Sequence, residues 1–399
     1  MDAQTTPILE IGLILLAAVA AGWIARRLHL PAIVGYLAVG LGFSPFTPGY
    51  VADHEQLELL ADVGVVLLLF EVGIEVDLGR LRRDHGAVLL VAPVQVVLST
   101  AIAGVVFLVA GLEPIAAALV GLCVALSSSV VIVNITLSRR RTTDRPTEES
   151  LLGWAVMQDL VGVALAAILI SLMDARNRSL GEAALGLAGF AIVAVLAARL
   201  LLPWVLSRLH DEHDLFLITS VGSGLAVAGL GAALFGVPLA LAAFVGGLAV
   251  TESHEAAEAR RRLRPFRDVF AVLFFVAIGT LIDPSKLGQA APWIALLLGL
   301  VVVAKVLLSW VLARVAKLDA RSLQLAVGLG QIGEFSFVLA SVAVAAGTID
   351  GVLFTAIIAA VAVSIAASSI LVRFVPVPPP TDDLEPPRPV VVGGGAASG

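Results

Sequence analysis

The stretch GWAVMQDLVGVALAAILI, residues 153–170, is an almost unbroken apolar run with a single carboxylate, Asp159, near its middle. A second run, LLLGLVVVAKVLLSWVL at 296–312, carries a single ammonium, Lys305. An ionisable side chain at the centre of a bilayer costs about 2.5–3.5 kcal/mol on insertion scales, so it faces a protein interior or a wet cavity. An Asp and a Lys at matching depth offset part of each other's cost. A structural ion pair is the plain account of such a couple. A site that handles charge is the functional one, and a deep pair can be both.

Working outward, the composition sets the class. The chain has 399 residues, 59% of them hydrophobic and 14% charged, with a mean hydropathy of +1.02. This is the composition of a polytopic membrane protein. The net charge of -6 says little, because charge sits in loops. The single Cys123 falls in a span, so no disulfide framework is expected. The opening MDAQTTPILE lacks a basic n-region, so the first apolar run reads as a span and not as a cleaved signal peptide. Arg outnumbers Lys heavily and Ala is abundant, which points to a high-GC bacterium.

Hydropathy predicts about thirteen spans: 8–26, 31–49, 57–78, 86–111, 114–138, 151–173, 182–208, 214–235, 238–253, 266–282, 290–316, 321–347 and 350–374. With this count, 20 of the 25 basic residues fall on one face. The positive-inside rule then predicts an outside N-terminus and a cytoplasmic C-terminus. Thirteen spans divide into a first repeat (8–173), a linker helix (182–208) and a second repeat (214–374) of opposite topology. That is the inverted-repeat layout of secondary transporters.

The fifth span of each half carries a polar, helix-weakening patch: ALSSSVV at 125–131 and GLGQIGEFSF at 328–337. A small-residue helix contact explains one such patch. Two at equivalent positions point to a transport site. At 1.5 Å per residue, Asp159, Ser128, Lys305 and Gly333 each lie about 12–18 Å from a span end, near the middle of a core about 30 Å thick.

A carboxylate there holds either a proton or a small cation, and that exclusivity couples opposing fluxes. Gln158 offers a carbonyl oxygen or an amide donor beside it. Ser127, Ser128 and Ser129, with carbonyls freed by a broken helix, are hard oxygen ligands suited to an alkali cation. Glu334 either pairs with Lys305 or lines a funnel to the cytoplasm. Glu71, in LLLFEVGIEVDLGRLRR, is one turn deeper than Glu75 and Asp77, which read as interfacial partners of the arginines that follow. The six histidines fall in loops or near span ends.

The stretches VGVVLLLFEVGIEVDL, ALSSSVVIV, WAVMQDLVGVAL, PLALAAFVGGLAVTESH, RPFRDVFAVLFFVAIGTLID and GQIGEFSFVLA, in this order across residues 8–375, resemble the monovalent cation:proton antiporter family 2. The likeness is greatest to the potassium-efflux type, with the sodium/proton exchanger fold. The resemblance implies an all-α exchanger domain over 1–375, with spans 4–6 and 11–13 as a moving core. It implies spans 1–3 and 8–10 as a scaffold that forms a homodimer. It maps the ion-binding Asp to Asp159, its preceding residue to Gln158, the broken-helix serines to Ser127, Ser128 and Ser129, and the core lysine to Lys305. Sodium-type members usually carry Asp or Asn where this chain has Gln158, which leans toward potassium. The expected partners are a monovalent cation (potassium or sodium), protons, membrane lipid and a second copy, with no cofactor and no nucleic acid. The expected location is the bacterial inner membrane.

Residues 376–399 read as a Pro-rich, disordered tail. PVVVGGGAASG at its end mimics a strand entering a glycine loop, without the rest of a βαβ unit, so no nucleotide is expected. Three other classes fit the sequence less well. A channel needs a filter motif, and none of the TVGYG kind is present. A sodium-coupled solute symporter needs more polar binding groups. An intramembrane protease needs a second central carboxylate or a His in a span.

Overall fold

A computed structural model describes residues 5–28, 30–47, 54–75, 86–128, 131–132, 144–173, 180–197, 205, 208, 212–237, 239–250 and 256–371. Ser129 and the expected tail at 376–399 lie outside the described residues. Among those residues the chain is all helical. The helices are α1 (Thr5–Arg27), α2 (Ala32–Gly42), α3 (His54–Glu75), α4 (Gly86–Val109), α5 (Pro114–Ala125), α6 (Arg145–Met173) and α7 (Leu180–Leu196). They continue with α8 (His213–Phe235), α9 (Leu239–Val250), α10 (Ala256–Thr280), α11, α12 (Ser322–Leu329), α13 (Phe335–Ala345) and α14 (Gly351–Leu371). Helix α11 joins Leu287–Leu300 to Leu308–Val315 through a π-helical turn, Val301–Leu307, that carries Lys305.

Six of the described helices are long and apolar enough to cross a membrane, and four shorter ones are equally apolar. The protein is a multi-pass membrane protein. Large apolar side chains face outward along α1 (Leu9, Leu13, Leu16), α4 (Leu90, Val97, Val105) and α11 (Val302, Val303). Such a surface suits lipid and not water.

Two helical groups pack internally. In one, α3 lies against both α9 and α10, and α2 bridges α1 and α10. In the other, α4 packs on α5 and α6, and α11 on α14. Close approach in the first group depends on glycine. A Cβ at Gly73 would meet Phe244 O at 2.3 Å, and one at Gly247 would meet Phe70 O at 2.0 Å. Small residues let membrane helices approach this closely and gain dispersion contacts.

Helix α2 ends at Gly42, seven residues before the expected 49. Two helix starts come six or more residues earlier than the hydropathy reading, and both of these differences have the same cause. Helix α6 starts at Arg145, six residues before the expected 151. Asp144 Oδ1 accepts the Thr147 N–H at 3.0 Å, and its carboxylate pairs with Arg321 at 2.8 Å. Helix α10 starts at Ala256, ten residues before the expected 266. Its basic segment finds carboxylates that hydropathy does not register. Glu258 takes Arg261 at 2.9 Å and Arg262 at 2.5 Å, which hold its carboxyl below the ordinary range.

The remaining arginines of that segment close on α3. Glu71, fully buried, accepts from Arg260 Nε and Arg267 Nη1 at 2.8 Å each, with Arg264 at 3.7 Å. Among the described residues its partners are on a distant helix, α10. The carboxylate ties α3 to α10. Replacing Glu71 with Ala leaves the three guanidinium groups without this shared acceptor. The arginines are partly exposed, so an expected loss of about 2 kcal/mol sits below the usual range for breaking a buried pair. A thermal-unfolding comparison checks it, and cation preference in transport should not change.

Candidate ion site

The second group of helices contains the two interrupted spans, and the structure brings their interruptions together. Helix α5 ends at Ala125, and Leu126 turns extended, with φ -88° and ψ 142°. The second span breaks between α12 and α13, at residues 330–334. The Gly330-Gln-Ile-Gly-Glu sequence leaves the last carbonyls of α12 and the first amides of α13 without helical partners. They find partners across the break. Gly333 N–H donates to Leu126 O at 2.9 Å, and Ser127 Oγ donates to Leu329 O at 2.8 Å. The crossing is so tight that a Cβ on Gly333 would lie 2.5 Å from Ser127 O. Ser336 Oγ, one turn on, donates to Cys123 O at 3.0 Å.

Lys305 lies at this crossing, fully buried. Its ammonium donates to Leu126 O at 2.5 Å and to Gln331 O. One side chain from α11 thus caps a carbonyl from each interruption. The charge of Asp159, itself 2% exposed on α6, acts on the same ammonium. The π turn in α11 falls at the lysine, and π turns of this kind concentrate at functional sites.

The predicted residues fall as follows. Asp159, Gln158, Ser127, Ser128, Lys305 and Glu334 are all buried in one neighbourhood. Ser128 Oγ donates to Glu334 Oε2 at 3.2 Å, and also accepts the Val131 N–H at 3.3 Å. Glu334 borders a small cleft with Val65, Leu68 and Leu69 of α3, Phe274 of α10, and Phe335 and Val338 of α13. The cleft runs between the two helical groups. Phe275 meets Phe337 edge-on beside it, with centroids 5.6 Å apart. Gln158 Nε2 donates to Gln95 Oε1 at 2.5 Å and to Ala125 O at 3.4 Å. Gln158 Oε1 and Gln331 Oε1 are buried acceptors with no hydrogen-bond donor in reach among the described residues.

Four side chains at this centre were not singled out from the sequence: Gln95, Ser99, Trp154 and Gln331. Each is a neutral polar group in an apolar run. Gln331 Nε2 donates to Gly328 O at 3.3 Å and Ser128 O at 3.4 Å, so it stitches the second interruption to the first. A lone Gln two residues after Pro93 in VAPVQVVLST was the available signal for Gln95.

Chemically, the centre has two carboxylates, Asp159 and Glu334, one ammonium, and a set of carbonyl and amide oxygens, all withdrawn from solvent. Hard oxygen donors of this kind suit an alkali cation, whereas the described residues offer no thiolate or imidazole cluster for a transition metal.

The family profile described as "Sodium/hydrogen exchanger, transmembrane" matches residues 14–375, nearly the whole chain. The chain belongs to this family. It is 32% identical over 337 residues to "Putative cation/proton antiporter YbaL" of Escherichia coli strain K12. That match covers 81% of this chain, and the chain spans 60% of the relative's length. Among solved structures it is similar to the sodium proton antiporter MjNhaP1 from Methanocaldococcus jannaschii at pH 8. The TM-score is 0.74 at 18% identity, covering 93% of this chain and 98% of that one. A second structure of MjNhaP1, from an electron-microscopy map, gives a TM-score of 0.63 over 94% of this chain and 93% of that one, also at 18% identity. The exchanger family and its antiporter fold are thereby established.

Proposed function

We propose that this protein is a secondary active antiporter that exchanges a monovalent cation for protons by alternating access. The observation that carries this reading is Asp159, a buried carboxylate beside two helix interruptions that cross. The site holds either a cation or a proton, and one neutralises it for the other. The family supports the class of transport, and the relative YbaL bears a cation/proton antiporter name. A channel and a sodium-coupled solute symporter have no comparable support.

The finer reading follows the same residues. Gln158 stands in place of a second acid beside Asp159, so Asp159 alone is the titrating carrier, exchange is one cation for one proton, and potassium is favoured over sodium. The domain spans residues 1–375, with repeats 8–173 and 214–374 in inverted topology about the linker 182–208. The first helical group, α1–α3 with α8–α10, serves as a homodimer scaffold. The second group moves against it along the cleft that Glu334 borders. The N-terminus is outside and the C-terminus cytoplasmic in a bacterial inner membrane.

The test is cation-induced proton movement in proteoliposomes, scanned over potassium, sodium and lithium. The expected order is potassium before sodium. Supported-membrane recordings should show no sustained cation-driven current at symmetric pH. A steady current that reverses with the gradient would overturn the one-for-one balance. Lys305 is the group to suspect in that case, because an ammonium that sheds its proton in each cycle adds a second charge.

A further inference from the structure

Gln95 on α4 is fully buried at this centre, and the transport reading above gives it no role. Its neighbours dictate which way its amide points. The indole N–H of Trp154 can only donate, and it lies 3.2 Å from Gln95 Oε1. At the other end, Gln95 Nε2 lies 2.9 Å from Ser99 Oγ and 3.3 Å from Ala125 O. A carbonyl can only accept. Ser99 gives its own proton to Ala304 O, which leaves its oxygen as an acceptor for Gln95. Both ends of the Gln95 amide are therefore fixed.

The same logic passes to the next residue in the chain of bonds. Gln95 Oε1 is an acceptor, and so is Ala125 O; both are reached by Gln158 Nε2. The nitrogen of Gln158 is thereby committed, and Oε1 points the other way. That oxygen is buried and meets no donor among the described residues. Leaving a buried acceptor unmet is unfavourable, and a bound cation would meet it. It belongs to the residue beside Asp159, at the point where α5 stops. If the amide were reversed, its NH2 group would face the same place and repel a cation.

We propose that Gln95, held in orientation by Trp154, is a positioning residue that turns the carbonyl oxygen of Gln158 toward the cation bound at Asp159 and so sets cation selectivity. The relay runs from a group that can only donate, through two amides that could each point either way, to one presented oxygen. It rests on the exchange reading for its cargo, but the geometry also makes a claim about binding alone.

The test uses the full chain, purified in detergent. Cation dissociation constants are read from the cation-dependent rise in unfolding temperature, with potassium or sodium replacing choline at constant ionic strength. Gln158→Leu should weaken potassium binding about tenfold, the effect of about 1.4 kcal/mol. Gln95→Leu should weaken it by a similar factor, and the milder Trp154→Phe by about threefold. The potassium-to-sodium ratio should fall toward one in all three. The double variant Gln95→Leu/Gln158→Leu should bind no more weakly than Gln158→Leu, because Gln95 acts through Gln158. Wild-type constants and ratio in Gln95→Leu and Trp154→Phe overturn the proposal, as do additive losses in the double variant or no cation response in the wild type. Exchange assays separate this from the transport reading. Exchange that depends on Asp159 with selectivity indifferent to Trp154 removes the relay alone. Binding that follows the relay in a protein that moves no protons removes the exchange reading alone.

Discussion

Asp159→Asn should stop cation-driven proton movement in proteoliposomes while the protein still inserts and purifies as the wild type does. Asn keeps the shape and hydrogen-bonding reach of the side chain but can neither carry the charge nor exchange the proton. Two unit charges about 4 Å apart contribute about 4 kcal/mol at an effective dielectric constant of 20. At about 1.4 kcal/mol per tenfold, losing that interaction costs two to three orders of magnitude in cation affinity. Proton coupling is lost with it. Exchange at the wild-type rate in a folded Asp159→Asn protein would end the assignment of Asp159 as shared carrier.

Lys305→Met should give the second large effect, and on two readouts. The variant keeps the unbranched length of the side chain but removes its donors and its charge. Leu126 O loses its contact with the ammonium, and so does Gln331 O, at the crossing of the two interruptions. Hydrogen bonds from charged groups contribute about 1.5–3 kcal/mol each, so an expected loss near 3 kcal/mol allows for relaxation of the site. The unfolding temperature should fall by several degrees, and exchange should fall with it. Lys305→Arg, which keeps the charge, should recover stability more than exchange, because a guanidinium fork does not fit where a compact ammonium sat. Unchanged melting in Lys305→Met would show that the crossing does not depend on the lysine.

The fold was legible in the sequence where hydropathy and charge report directly on the membrane. The spans follow from apolar run length, and the interruptions from Ser127–Ser129 and from the glycines around Gln331. Asp159 and Lys305 declared themselves because a charge in an apolar run has few explanations. What stayed hidden was backbone chemistry. The hydrogen-bond partners of Lys305 are the carbonyls of Leu126 and Gln331, and a carbonyl has no sequence signature. The π turn around Lys305 was hidden for the same reason, since VVVAKVL reads as ordinary helix. Gln95 and Trp154 were passed over because neutral polar groups scarcely disturb hydropathy, although burial makes their geometry decisive. Glu71 was placed near the right boundary, but its arginines lie 189 and 196 residues away. Local sequence gives no view of a partner that distant.

The crossing also contains its own cation. A main-chain carbonyl has two lone pairs, and Leu126 O fills both, one with the Gly333 N–H and one with the Lys305 ammonium. An ammonium is a monovalent ion in its own right, here leashed to α11 by four methylenes. The two chain breaks are therefore occupied by a positive charge that belongs to the protein and cannot diffuse away. On the proposed exchange reading, an ion arriving from solution settles beside this tethered occupant or pushes it aside. When that ion leaves, the junction keeps its plug. On the proposed exchange reading, removing salt should empty the carrier without unfastening the joint on which the carrier is built.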